Sequence, residues 1–180
     1  MIDIVSFNKA EAEEFNKACS LNFSKIYHAN NFRIATGGNE GLNRKIVENK
    51  STDILLDPEP KGKDALHYRH SGLNQVICKL ANKNKVAIAF SFSRILKADE
   101  KERIRLFGKI MQNIRFCRKY KVKMILASFA LDKYEMRNAQ DLRSFALVIG
   151  MTPKEAKEAL DFKPGKDFGI RLLKEEDNPP

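Results

Sequence analysis

At 180 residues the chain has the size of one domain, and a composition of 43% hydrophobic and 31% charged residues excludes both a disordered segment and a membrane-inserted one. Its longest apolar runs, such as Val86 to Phe90, are far shorter than the roughly 18 residues a bilayer span requires. The net charge is +10, and all of the excess lies mid-chain: residues 1–60 carry 7 Lys/Arg against 9 Asp/Glu, residues 61–143 carry 20 against 7, and residues 144–180 carry 6 against 7. A field concentrated in this way draws polyanions, so nucleic acid is the leading partner class and a merely soluble basic protein the alternative.

Met1-Ile2-Asp3-Ile4-Val5 enters directly into a strand-like pattern without the basic start and apolar stretch of a secretory signal, so a cytoplasmic protein with no membrane partner is expected. Cys19, Cys78 and Cys117 are odd in number and far apart, which predicts buried, reduced thiols rather than disulfides or a metal site. Strand-like runs follow at Ile2 to Phe7, Phe23 to Tyr27, Phe32 to Ala35, Ile54 to Leu56, Val86 to Ser91 and Met124 to Ser128. Helical spacing occupies Ala10 to Leu21, Leu42 to Glu48, Leu73 to Ala81, Asp99 to Tyr120, Ala139 to Ile149 and Pro153 to Leu160.

Strand thus alternates with helix, and strands apolar throughout suit a parallel sheet covered on both faces. The expected fold is a single α/β domain over residues 1–170, with a tail at 171–180. A doubly wound open sheet and a closed or partly closed barrel both fit this alternation; an eight-unit barrel, typically about 250 residues, would be abbreviated here.

The long helix carries the most information. Asp99 with Glu102 reads as a capping box, and Ile104, Phe107, Met111, Ile114 and Cys117 as one buried stripe. Opposite it run Arg105, Lys109, Gln112, Phe116 and Lys119, with Arg115 and Arg118 beside them: cations for phosphates interleaved with an aromatic for a base.

A catalytic metal centre needs several converging ligands, whereas His28 is isolated and His67 and His70 lack companions. Gly37-Gly38-Asn39-Glu40-Gly41 matches no phosphate-binding glycine motif and reads as a turn. Asp57 and Glu59 are spaced like an acid/base pair, but no nucleophile or oxyanion site accompanies them. Ser71 suits a helix N-cap, and Lys61, Lys63, His67, Arg69 and His70 crowd donors around the same helix start, where backbone amides favour a phosphate.

Arg69-His70-Ser71-Gly72-Leu73-Asn74-Gln75-Val76, then Lys79-Leu80-Ala81 and Val86 to Ser91, resembles archaeal ribonuclease P protein component 3, a family that includes the eukaryotic thirty-kilodalton subunit. The likeness continues through Asn113 to Val122, Ile125 to Ala130, Met136 to Leu142 and Ile149-Gly150-Met151, covering about residues 53–160. Two departures stand out: Ser128-Phe129-Ala130 replaces the family's Ser-Gly-Ala, and Gln75 replaces a histidine after Asn74.

The resemblance implies a TIM-barrel-like fold akin to the PHP phosphoesterases without their metal ligands. It also implies a non-catalytic subunit of the ribonucleoprotein that removes the 5′ leader from precursor tRNA. No cofactor is expected on this chain, magnesium serving the RNA subunit. Implied partners are ribonuclease P RNA, a small ferredoxin-like ribonuclease P protein, further ribonuclease P proteins and precursor tRNA. The expected RNA contacts are Lys61, Lys63, His67, Arg69, His70, Ser71, Arg94, Arg105, Lys109, Arg115, Arg118, Lys119 and Arg137. Two alternatives stay open: a metal-dependent PHP-type phosphoesterase and a general single-stranded nucleic-acid binder.

Overall fold

The computed structural model describes residues 1–62, 64, 69–164 and 170–173. These form six strands: β1 (Ile2–Val5), β2 (Lys25–His28), β3 (Ile34–Thr36), β4 (Ile54–Leu56), β5 (Ala87–Ser91) and β6 (Met124–Ala127). Seven α-helices connect or follow them: α1 (Lys9–Ala18), α2 (Glu40–Glu48), α3 (Gln75–Asn84), α4 (Phe92–Lys97), α5 (Glu100–Lys119), α6 (Ala139–Val148) and α7 (Pro153–Leu160). Every strand pair is parallel, as crossover helices require. The sequence missed α4, which is only six residues long and begins directly after the last residue of β5, leaving no turn signal between them.

Hydrogen bonds run through β1-β2 and through β3-β4-β5-β6. The two sets meet just past β6, where the Phe129 amide donates to the Ile4 carbonyl (2.8 Å) and the Ser6 amide to the Ala130 carbonyl (2.7 Å). The lateral order is therefore 2-1-6-5-4-3: strands follow one another round as in a barrel, and the ladder is interrupted between β2 and β3. At that interruption Phe32 packs edge-on against Tyr27 (5.4 Å) and Phe162 (6.0 Å), so rings fill the gap that backbone pairing leaves.

Alternation along the strands builds two cores. Ile2, Ile4, Tyr27, Ile54, Ala87, Ala89, Ile125 and Ala127 face the barrel interior, where three alanines leave room for Phe32, Phe162 and Ile170. Val5, Ile26, Leu55, Ile88, Phe90, Met124 and Leu126 point outward against the helices. β5 is buried at every position, which accounts for its unbroken apolar run.

The β1–β6 joint is polar. The buried Asp3 carboxylate accepts from the Ser128 amide (2.6 Å), the Ser128 hydroxyl (2.7 Å) and the Ile4 amide (2.9 Å), and burial outweighs these bonds, raising its pKa to about 6. Next to it Phe129 has φ 46°, in the left-handed region that favours glycine. The buried Phe129 ring joins the interior cluster, and that packing offsets the backbone strain.

Three expectations need correction. Cys19 is exposed; only Cys78 and Cys117 are buried. Residues 171–173, expected as tail, are tied to the body: Arg171 pairs with Asp53 (3.0 Å) and the Leu173 amide donates to the Asn31 carbonyl (2.8 Å). The buried stripe of α5 is Leu106, Lys109, Ile110, Asn113, Ile114 and Cys117, whereas Ile104 is 67% exposed. Periodicity favoured the apolar Ile104 phase because the true face contains a lysine and an asparagine. Ile104→Ser should therefore change unfolding free energy by less than about 0.5 kcal/mol, while Ile110→Ala should cost about 2–5 kcal/mol. Denaturant titration of the two variants checks this phase; equal losses would contradict it.

Candidate nucleic-acid interface

The described residues between β4 and α3, 57–62, 64 and 69–74, lie at the C-terminal end of the strands, the end at which α/β barrels place their functional loops. Asp57 leaves β4 with φ 50°, and its carboxylate accepts from the Ser91 amide at the end of β5 (2.9 Å). Pro58 and Gly72 are drawn together by Asn43, whose Nδ2 donates to both carbonyls (2.8 Å each). Gly72 has φ 84°, and a Cβ there would lie 1.9 Å from the Pro58 carbonyl oxygen, so only glycine fits.

Helix α5 supplies the remaining anchors. Asn113 Nδ2 donates to Glu59 Oε1 and to the Ser71 carbonyl (2.8 Å each). The Lys109 ammonium, on a side chain only 2% exposed, donates to the carbonyls of Pro60 (2.8 Å) and Gly62 (3.0 Å). From α4, Arg94 donates to the Glu59 carbonyl (2.8 Å) and lies 3.3 Å from Glu59 Oε2. A loop packed into a protein must have its carbonyls satisfied, and here side chains perform that task.

Glu59 is buried, and that burial, reinforced by the neighbouring Asp57 charge, raises its pKa to about 8 against the pull of Asn113 and Arg94. Burial likewise raises Asp57 to about 6, outweighing the Ser91 amide and Arg94. Among the described residues no three His, Cys, Asp or Glu side chains converge as metal ligands.

The sequence-expected contacts divide by location. Lys61, Arg69, His70, Ser71, Arg94, Arg105, Lys109 and Arg137 cluster around the C-terminal end of the strands, on its connections or on the first half of α5. Arg115, Arg118 and Lys119 lie on the second half of α5, toward the opposite end. Lys63 and His67 lie outside the described residues.

The contacts also divide by employment. Among the described residues the side chains of Lys61, Arg105 and Arg115 make no hydrogen bond or ion pair. Arg69, its side chain half-exposed, reaches the Gly108 carbonyl (3.2 Å) and lies 3.5 Å from Asp64, and His70 lies 3.7 Å from Glu40. Arg137 holds the carbonyls of Tyr134 (2.8 Å) and Met136 (2.7 Å), and the Lys119 ammonium stands over the Tyr120 ring at 5.6 Å. Arg118 is clamped to Glu155 by two bonds of 2.8 and 2.7 Å.

Lys109 is thus not on an outer face, because the loop carbonyls turn it inward. Nor is Ser71 the cap of α3: Asn74 is, its Oδ1 accepting from the amides of Val76 (2.9 Å) and Ile77 (3.0 Å). The left-handed turn at Gly72 and the buried Leu73 delay the helix by three residues. Sequence reasoning missed Asn43 and Asn113, for which the signal was a polar residue interrupting an apolar helical stripe.

Because the folded chain favours the protonated forms of Asp57 and Glu59, they stabilise it fully below their ordinary range near pH 4. That contribution is lost as pH rises through about 6 and then about 8. The melting temperature should accordingly fall between about pH 5 and pH 8, and Glu59→Gln should reduce the fall, as followed by circular dichroism. Parallel curves for the two proteins would remove Glu59 as the source.

The sequence matches the family described as RNase P subunit p30 over residues 3–166. It is 36% identical over 133 residues to ribonuclease P protein component 3 of Methanosarcina mazei, covering 74% of this chain and 53% of that protein. The component 3 proteins of Methanococcoides burtonii (37% identity, covering 72% and 51%) and Methanocaldococcus jannaschii (32%, covering 78% and 63%) are also similar. The chain spans about half the length of the Methanosarcina and Methanococcoides relatives it matches. A chain in a cryo-EM structure of archaeal ribonuclease P with mature tRNA shares the fold, with a TM-score of 0.64 at 24% identity, covering 98% of this chain and 90% of that one. With a family match running from β1 through α7, the chain belongs to the RNase P subunit p30 family.

Proposed function

We propose that the chain is a non-catalytic protein subunit of ribonuclease P that binds the catalytic RNA and neutralises its phosphates. Removal of the 5′ leader from precursor tRNA is then left to the RNA and its magnesium. One observation carries this reading beyond family membership. At the barrel end where enzymes of this architecture place reacting groups, Asp57 and Glu59 are buried and engaged with their own loop and its neighbours, while Lys61 is exposed two residues along that loop, Arg105 lines a depression with Pro60 and Gly62, and Arg69 reaches the Gly108 carbonyl. Such a surface fits phosphate neutralisation, which lets a folded RNA work at lower magnesium. The names of the similar proteins, and the particle in which the shared fold occurs, support the same holoenzyme.

Under this reading the partners are ribonuclease P RNA, a small ferredoxin-like ribonuclease P protein, other proteins of the particle and precursor tRNA, in the cytoplasm. Lys61, Arg69, His70, Arg105, Arg115, Lys119 and Arg137 are the direct phosphate candidates. Arg94 and Lys109 act by holding the loop segment that carries Lys61.

Precursor-tRNA cleavage reconstituted from the RNA and partner subunits tests the proposal. Adding this chain should lower the magnesium required, and the chain alone should cleave nothing. Site-specific cleavage by RNA-free protein would instead make it a phosphoesterase, and equal affinity for homopolymers and folded RNA would make it a general binder. Replacing Lys61, Arg105 and Arg115 by alanine should leave the melting temperature unchanged and reduce the logarithmic salt slope of RNA binding by about one unit per lost contact.

A further inference from the structure

At the opposite end of the barrel, two adjoining depressions of about 290 and 500 Å³ share Lys123 and Glu158. Arg118 and Lys121 enter from the end of α5, Lys123 from the start of β6, Lys154 and Lys157 from α7, and Lys163 from the segment after it. The nearby acids leave Lys121, Lys123, Lys154 and Lys157 without a carboxylate partner. Glu155 is held by Arg118, whose hydrogen bonds depress its pKa to about 2, and Asp161 lies 3.9 Å from the N-terminal ammonium. Glu158 is outnumbered by the lysines around it. Among the described residues the side chains of Lys121, Lys123, Lys154 and Lys157 make no hydrogen bond or ion pair.

We infer that this groove is a second docking surface for an RNA phosphodiester backbone. The inference rests on the RNA-binding reading above and goes beyond it by giving the chain two RNA faces at opposite ends of one barrel. Like charges gathered around one depression repel until an anion relieves them, so the groove favours an anionic occupant. Its shape selects the class. The depression is open and continuous, and its cations come from three separate elements, which suits a chain of phosphates passing across it. A small anion is better served by a concave site with converging amides. Lys154 and Lys157, three residues apart, stand on one side of α7 and present adjacent ammoniums along the path.

The 20-residue α5 fixes the relation between the faces. At 1.5 Å per residue it spans about 30 Å, with Arg105 near the loop end and Arg118 at the groove. The two surfaces are thus rigidly spaced and can hold separate segments of a folded RNA.

The experiment uses the full chain and transcribed, folded ribonuclease P RNA. Binding is measured across a salt series for the native chain, for Lys123→Gln/Lys154→Gln/Lys157→Gln, and for Lys61→Gln/Arg105→Gln at the other face. Thermal melts verify folding, and Lys154→Gln/Lys157→Gln, exposed on α7, serves as the fallback should Lys123→Gln impair it. The groove variant should lose roughly tenfold or more in affinity at low salt and about two to three units of salt slope, independently of the loop-face variant. Unchanged binding for the groove variant, with the loop-face variant weakened, overturns the second surface and leaves the RNA-binding reading intact. Native binding that neither set of substitutions alters overturns this inference and the proposed loop face together. Intact RNA binding with loss of an acidic protein from the reconstituted particle overturns the inference too, by assigning the groove to protein.

Discussion

The organisation of the loop face depends on one constraint: the carbonyls of Pro58 to Pro60, Gly62, Ser71 and Gly72, between β4 and α3, lie outside any strand and require donors from elsewhere. Asn43, Arg94, Lys109 and Asn113 provide them at 2.8 to 3.0 Å. Each donor comes from a different turn or element, so α2, α4 and α5 are all fixed relative to the loop. Leaving one such carbonyl unmet costs about 1–3 kcal/mol, which explains why a lysine and an asparagine occupy an otherwise apolar helical face.

Cations of similar appearance therefore perform different work. Lys109, Arg94 and Arg118 are engaged with carbonyls or carboxylates of the chain itself, and their charge contributes first to architecture. Arg105, partly exposed beside the buried Leu106 on α5, and Lys61, exposed on the loop, keep their charge available to a partner. Net charge reports the sum of both kinds, which is why a basic composition points to a polyanion without saying which residues meet it.

The barrel itself is held by a different set of groups. Three interior alanines admit Phe32 and Phe162, whose rings occupy the place where β2 and β3 do not pair. One strand further round from that opening, Asp3 gathers both Ser128 donors and fastens β1 to β6. Phe129 accepts a left-handed backbone at this joint because its ring is needed inside. Interior volume and joint are thus matched to the six described strands.

Much of this was legible in the sequence. The apolar runs marked all six strands, and the bounds of β4 and α7 agree with the spacing read from Ile54 to Leu56 and Pro153 to Leu160. These are local signals, set by side-chain alternation and capping, and Asp99 does cap α5, although Glu102 does not return the bond that a capping box requires. The ladder's interruption between β2 and β3, the inward turn of Lys109, the cap at Asn74 and the lysines gathered from α5, β6 and α7 were decided only by tertiary structure. Each depends on groups distant in sequence meeting in space: carbonyls that reach Lys109 across 47 and 49 positions, or ammoniums brought to one groove by separate elements. Periodicity records which face of an element is apolar; it carries no record of a polar side chain buried because a remote backbone group needs it.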